Sequence, residues 1–186
     1  GVFLVSLSLG LMIAELCDFG LNAIAVPLIV RSGRNLRALL VMKAAMTLVV
    51  LVLSGILIPL ASNISGLPLS LLSLCTIHFL GVSWIGMAGM ALRALGRRID
   101  EALLLMAFRF TLVGLVIGAP FGATVAGAAL AYAVAVIPAL GLGWALLRAN
   151  RAPGLGEAWD NRSILLQAAP LGINAYLSIF STRMEL

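Results

Sequence analysis

Six charged residues stand inside long apolar stretches of this chain: Glu15, Asp18, Lys43, Arg109, Arg183 and Glu185. A charge at the centre of a membrane helix costs about 2.5–3.5 kcal/mol on the most lenient scales, so each of these residues needs a partner, a route to water or a function. Glu15 and Asp18 are three residues apart, on one face of a helix, beside Gly20. Two carboxylates so placed can hold a proton or Na⁺, or serve as counter-ions to Arg109 or Lys43, and pairing is as good a reading as ion coupling. Lys43 lies seven residues past Leu36. Its stem can snorkel back to the interface or turn into a lumen, and its position does not choose between them. Arg109 is eight residues past Glu101, roughly 12 Å deep at helical rise, a depth that favours a cavity-facing role over snorkelling. Arg183 and Glu185 come about 20 residues into the last apolar segment, near its far interface by the same rise, where a solvated pair competes with any function. Their spacing puts them on different helical faces.

Other chemistry is sparse. The single histidine, His78, has no second His and no carboxylate on its segment before Asp100, which makes packing or hydrogen bonding a better reading than catalysis. Cys17 and Cys75 form no Cys-x-x-Cys or Cys/His spacing, and both read as small buried hydrophobes. No Walker motif, dinucleotide-binding fingerprint or Gly-x-Ser-x-Gly elbow is present. ATP-driven chemistry within this chain is set aside on that ground, and the expectation is a protein that is not an enzyme.

The elements that must position these residues are membrane helices. Of 186 residues, 62% are apolar and 10% charged, against about 45–50% and about 25% in soluble domains. A domain of this size has too little interior to hide that much apolar surface from water. A spanning helix needs about 20 apolar residues, and six segments approach this: Val2–Val30, Leu36–Leu60, Pro68–Leu95, Glu101–Ala119, Ala123–Leu147, and one from Ser163 onward. The first is long enough to predict a tilt or a break at Asp18-Phe19-Gly20. Pro59 is expected to help end the second, and Gly118-Ala119-Pro120 the fourth. Gly81, Gly86 and Gly89, and Gly122, Ala126, Gly127 and Ala131, suit close helix packing in lipid. Runs of this length, without period-two alternation, exclude a β-barrel.

The net charge of +5 does not gather on one soluble face as a nucleic-acid footprint would. It punctuates the loops instead. Arg31, Arg34 and Arg37, then Arg93, Arg97 and Arg98, then Arg148, Arg151 and Arg162 follow alternate segments, while residues 61–67 and 120–122 carry no charge. Such asymmetry places the Arg-bearing loops in the cytoplasm. Residues 148–162, with Pro153, Gly154 and Gly156, read as a cytoplasmic linker between a first bundle at 1–147 and the start of a second at 163–186, or as an ordinary interhelical loop. The chain opens inside one apolar run and stops inside another, as a piece of a longer protein would.

Three stretches carry a resemblance. Glu15-Leu16-Cys17-Asp18-Phe19-Gly20-Leu21-Asn22, leading through an apolar run to Arg31, resembles the second helix of O-antigen (Wzx-type) polysaccharide flippases of the multidrug/oligosaccharidyl-lipid/polysaccharide exporter superfamily. Leu92-Arg93-Ala94-Leu95-Gly96-Arg97 is similar to the cytoplasmic end of that family's fourth helix. Ala168-Ala169-Pro170-Leu171-Gly172 through Arg183-Met184-Glu185 is similar to the start of its second lobe, with Glu185 where the family's Arg-x-Asp element has Asp.

The resemblance implies an all-α, MATE-like bundle in which this chain supplies helices two to seven of 12 to 14, in a bacterial inner membrane. It implies transport of undecaprenyl-pyrophosphate-linked oligosaccharide to the outer leaflet by alternating access, for O-antigen, lipopolysaccharide or related surface polysaccharide. Arg109, Lys43 and Arg183 would then hold the pyrophosphate in a cationic cavity, and Glu15, Asp18 and Glu185 would couple to H⁺ or Na⁺ or act as counter-ions. No other cofactor is implied. The implied partners are the lipid-linked oligosaccharide, membrane lipids, the second lobe of the same chain, and the polymerase and glycosyltransferases of the pathway, without nucleic acid. The alternatives are a cation-coupled multidrug exporter of the same superfamily and a fragment of a membrane-embedded glycosyl- or acyltransferase.

Overall fold

A computed structural model describes residues 2–32, 36–118, 124–149 and 161–184, with side chains at 31–32, 161–163, 175 and 179–184 excepted. Among these residues there is no strand. Seven helices follow one another: α1 (Val2–Asp18), α2 (Leu21–Ser32), α3 (Leu36–Ser65), α4 (Leu69–Ala94), α5 (Arg98–Gly118), α6 (Val125–Ala149) and α7 (Asn161–Met184).

The first apolar run divides where the sequence predicts. Phe19 takes φ 40° and Gly20 φ 76°, which ends α1 at Asp18 and restarts the helix at Leu21. Glycine accepts this left-handed backbone freely, whereas a residue with a β-carbon is held there at a cost of about 1 kcal/mol or more. Pro59, by contrast, does not end the second run. α3 continues through it to Ser65, because a proline inside a membrane helix removes one N–H bond that its neighbourhood can absorb. The stop comes at Gly66, whose φ is 68° and whose N–H donates back to the Ser62 carbonyl at 2.9 Å. The turn into α5 is as tight: the Gly96 N–H donates to Arg93 O and the Arg97 N–H to Leu92 O.

Five stretches are long and apolar enough to cross a membrane: Val2–Val30, Leu36–Ser65, Leu69–Ala94, Arg98–Gly118 and Val125–Ala149. Within α7, the expected sixth, the described residues include a shorter apolar stretch at Ile164–Ser178, with Gln167 and Asn174 inside it.

The bundle is built around α4, which packs against α6, α1, α2, α5 and α3. Its close approaches use small residues. A β-carbon at Gly10 would come within 2.9 Å of the Cys75 backbone, and one at Gly81 would overlap Val136 of α6. Where α4 meets α2, α5 and α6, Leu21, Ile85, Met87, Leu92, Leu104 and Val136 belong to one buried cluster. The outward faces are apolar too: Leu48, Val52 and Ile56 of α3 and Phe110 and Ile117 of α5 are exposed. Acyl chains tolerate that surface at no cost, whereas water would drive it to associate. α7 packs on α1 and α2.

Candidate functional site

The break between α1 and α2 leaves helix ends inside an apolar bundle, and polar residues from two other elements, α3 and α4, gather there. Asp18 closes α1. Lys43, from α3, is wholly buried, and its Nζ donates to Asp18 Oδ1 at 2.6 Å and to Ser83 Oγ of α4 at 2.5 Å. A cation at the carboxyl end of α1 is also favoured by the partial negative charge of the terminal carbonyls. Asn22, one residue into α2, fits its amide beside Gly86, and its Nδ2 donates to the Ser83 carbonyl at 3.4 Å. Its Oδ1 is buried and has no hydrogen-bond partner among the described residues.

A hydroxyl braces the same corner. Thr47 Oγ1 donates to the Lys43 carbonyl at 2.7 Å and accepts from Trp84 Nε1 at 3.0 Å. Its one proton is thereby used, so the 2.9 Å contact with Cys17 Sγ has the thiol as donor. Cys17 is thus a buried thiol with a partner, and Cys75 is a buried free thiol.

The structure brings some of the singled-out residues together and leaves others apart. Glu15 is half-buried one turn before Asp18, within electrostatic reach of Asp18 and Lys43. Lys43 neither snorkels nor faces an opening, since its charge is closed against Asp18. Arg109 lies elsewhere. It is exposed on α5 next to Phe110, with no hydrogen bond or ion pair to another described residue. Arg183 is described only as α7 backbone, and Glu185 lies outside the described residues. Residues 150–160, most of the expected linker, lie outside them as well.

His78 is buried, with Nδ1 donating to the Tyr132 carbonyl at 2.7 Å; a carbonyl only accepts, so the proton is on Nδ1. Its ring is stacked on Phe108 and tilted against Tyr132. That is a packed, bonded histidine holding α4 to α6.

Residue types alone missed two features. Ser83 and Asn22 complete the polar cluster, and their only signal was being hydrogen-bonding side chains within apolar spans. Arg93, counted among the loop cations, grips Glu101 through both Nε and Nη2 across the α4–α5 turn, while Arg97 Nε meets Asp100 at 3.2 Å. The signal was a cation and an acid flanking Gly96 at an eight-residue interval.

These features define a class: a multi-pass α-helical membrane protein with a charged cluster sealed at a helix break. Comparisons with protein-family models, with curated proteins and with solved structures each find no match to this chain.

Proposed function

We propose that this chain is the larger part of the first lobe of a MATE-like flippase with the start of its second lobe, helices two to seven of 12 to 14. In this reading it moves undecaprenyl-pyrophosphate-linked oligosaccharide across a bacterial inner membrane by alternating access, with its Arg-rich loops cytoplasmic. The observation that carries the reading is the Lys43–Asp18 pair enclosed beside a strained helix break. Ionisable residues at membrane depth mark transport pathways more often than scaffolding, and discontinuous helices are where transporters build their sites. Residues held in strained backbone gather at such working sites as well.

In the proposed cycle Asp18 holds Lys43 closed. A proton or Na⁺ taken up at Glu15 or Asp18 releases the ammonium, which then joins Arg109 and Arg183 in meeting the pyrophosphate. The lobes exchange access around that charge, and loss of the ion at the other face resets the pair. Arginine suits the substrate because its planar fork pairs two oxygens of a phosphate at once.

One observation favours a second reading. Arg109 is exposed on α5 and not gathered with Lys43, and a cation-coupled multidrug exporter would use the acids Glu15 and Asp18 without needing Arg109. The two readings part in one experiment: export of surface polysaccharide by cells carrying full-length protein with Arg109→Ala, at matched protein abundance. The flippase reading expects export to fall about 10- to 100-fold, the loss of one charge-assisted contact. Normal export removes Arg109 from the mechanism, and the multidrug reading stands only if cells lacking the protein altogether also export normally.

A further inference from the structure

Away from the charged cluster, α3 and α6 both pack on α4, and between them lies a groove of about 500 Å³. Arg37 and Arg148 stand at one end of it, with Trp84 and Trp144 along its wall and aliphatic side chains lining the rest. It adjoins a second cavity of about 320 Å³ that shares both tryptophans and runs over Ala88 and Gly143, where small residues leave depth. No acidic residue lines either space, and neither arginine has an acidic partner among the described residues.

We infer that this groove binds one anionic glycerophospholipid of the surrounding leaflet, its phosphate held by Arg37 and Arg148 and one acyl chain laid over Ala88 and Gly143. The charge pattern commits the occupant. Two guanidinium groups without an acidic partner among the described residues, at the mouth of an otherwise apolar trough, match a lipid with a negative head and an oily tail, and match a zwitterionic lipid less well. Trp144 is 58% exposed one helical turn from Arg148, the arrangement of an aromatic and a cation that sit at headgroup level. The groove walls continue into outward apolar faces, at Val41 and Leu48 of α3 and Ile137 of α6, so the trough opens where lipid lies. α7 packs on α1 and α2 and so does not fill it. The inference does not depend on what the protein transports.

Trp144 is itself the probe. Full-length protein is placed in vesicles of fixed phosphatidylglycerol-to-phosphatidylcholine ratio, with bromine on the acyl chains of one lipid or of the other. The quenching that disappears in a Trp144→Phe variant reports the groove. Brominated phosphatidylglycerol is expected to associate roughly 30-fold more tightly than brominated phosphatidylcholine, given about 1 kcal/mol for each of two arginines. Arg37→Gln with Arg148→Gln brings the two lipids to within about 2-fold, and each single variant, a guard against misfolding of the double one, removes about 5-fold. Equal quenching by the two lipids overturns the site, as does a preference that the arginine variants leave intact. Absence of quenching by either lipid also overturns it, because protein would then cover the groove.

Discussion

Lys43→Met is expected to be the most damaging single substitution in the first four helices, and Asp18→Asn on the Lys43→Met background is expected to recover most of the loss. The reasoning is electrostatic. With Lys43 gone, Asp18 is left as a carboxylate in an apolar bundle, and breaking a buried pair from one side costs about 3–5 kcal/mol. Removing both charges leaves a neutral amide beside Ser83 and a methionine of nearly the same volume, a replacement that buried ion pairs often tolerate without loss. The measurement is thermal unfolding of detergent-solubilised full-length protein, followed by a thiol-reactive dye that reports exposure of the buried Cys17 and Cys75. A Lys43→Met protein that melts with the parent would show that the pair carries no stability. The double variant also separates scaffold from mechanism: if the pair is the coupling element, the rescued protein folds and does not export.

That experiment bears on what could be read from residues alone. The α1–α2 break was legible, because a 29-residue apolar run exceeds what one upright span needs and Gly20 stood where a left-handed residue was required. The start of α4 after Pro68 was legible for a similar local reason. Pro59 misled because a proline's effect depends on what surrounds the carbonyl it frees, and in α3 the helix absorbs it.

The site was less readable, for a physical reason of another kind. Asp18 and Lys43 are 25 positions apart and Ser83 is 40 beyond Lys43, so their meeting is set by how α1, α3 and α4 stack. Pairing and ion coupling therefore remained equal readings of Asp18 until packing brought Lys43 to it. Arg109 shows the complementary limit. Its depth along α5 follows from counting, but its direction does not. Leu105, Met106, Phe110 and Val113 around it are all apolar and all exposed, so no polar face on the helix indicates which way the guanidinium turns. A helix surrounded by lipid carries little of the amphipathic signal that orients one at a water boundary.

Gly20→Val is the second large effect expected, and it tests whether the break and α7 act together. Two penalties coincide there. The φ of 76° at Gly20 disfavours any β-carbon, and a branched one most of all. In addition, a β-carbon at Gly20 would stand 2.5 Å from the Ala168 carbonyl oxygen and 2.7 Å from the Gly172 nitrogen. Those are backbone atoms of α7, which cannot rotate aside as a side-chain tip would. Gly172 makes the reciprocal approach, since a β-carbon there would meet the Phe19 backbone at 2.5 Å. α7 must therefore lift from the α1–α2 corner before the substituted chain fits. Ala168 is fully buried at that contact, so a cysteine placed at Ala168 should resist a water-soluble maleimide in the parent and react at least about 10-fold faster with Gly20→Val, as about 1.4 kcal/mol of lost docking would give. Gly20→Ala should fall between the two. Unchanged labelling across the series would mean that α7 is held by contacts elsewhere, and the break would then lose its link to the helix that follows the 150–160 segment. Faster labelling would make the Phe19–Gly20 corner a mechanical joint. A charge released at Asp18 would then lie one residue from the surface on which α7 moves.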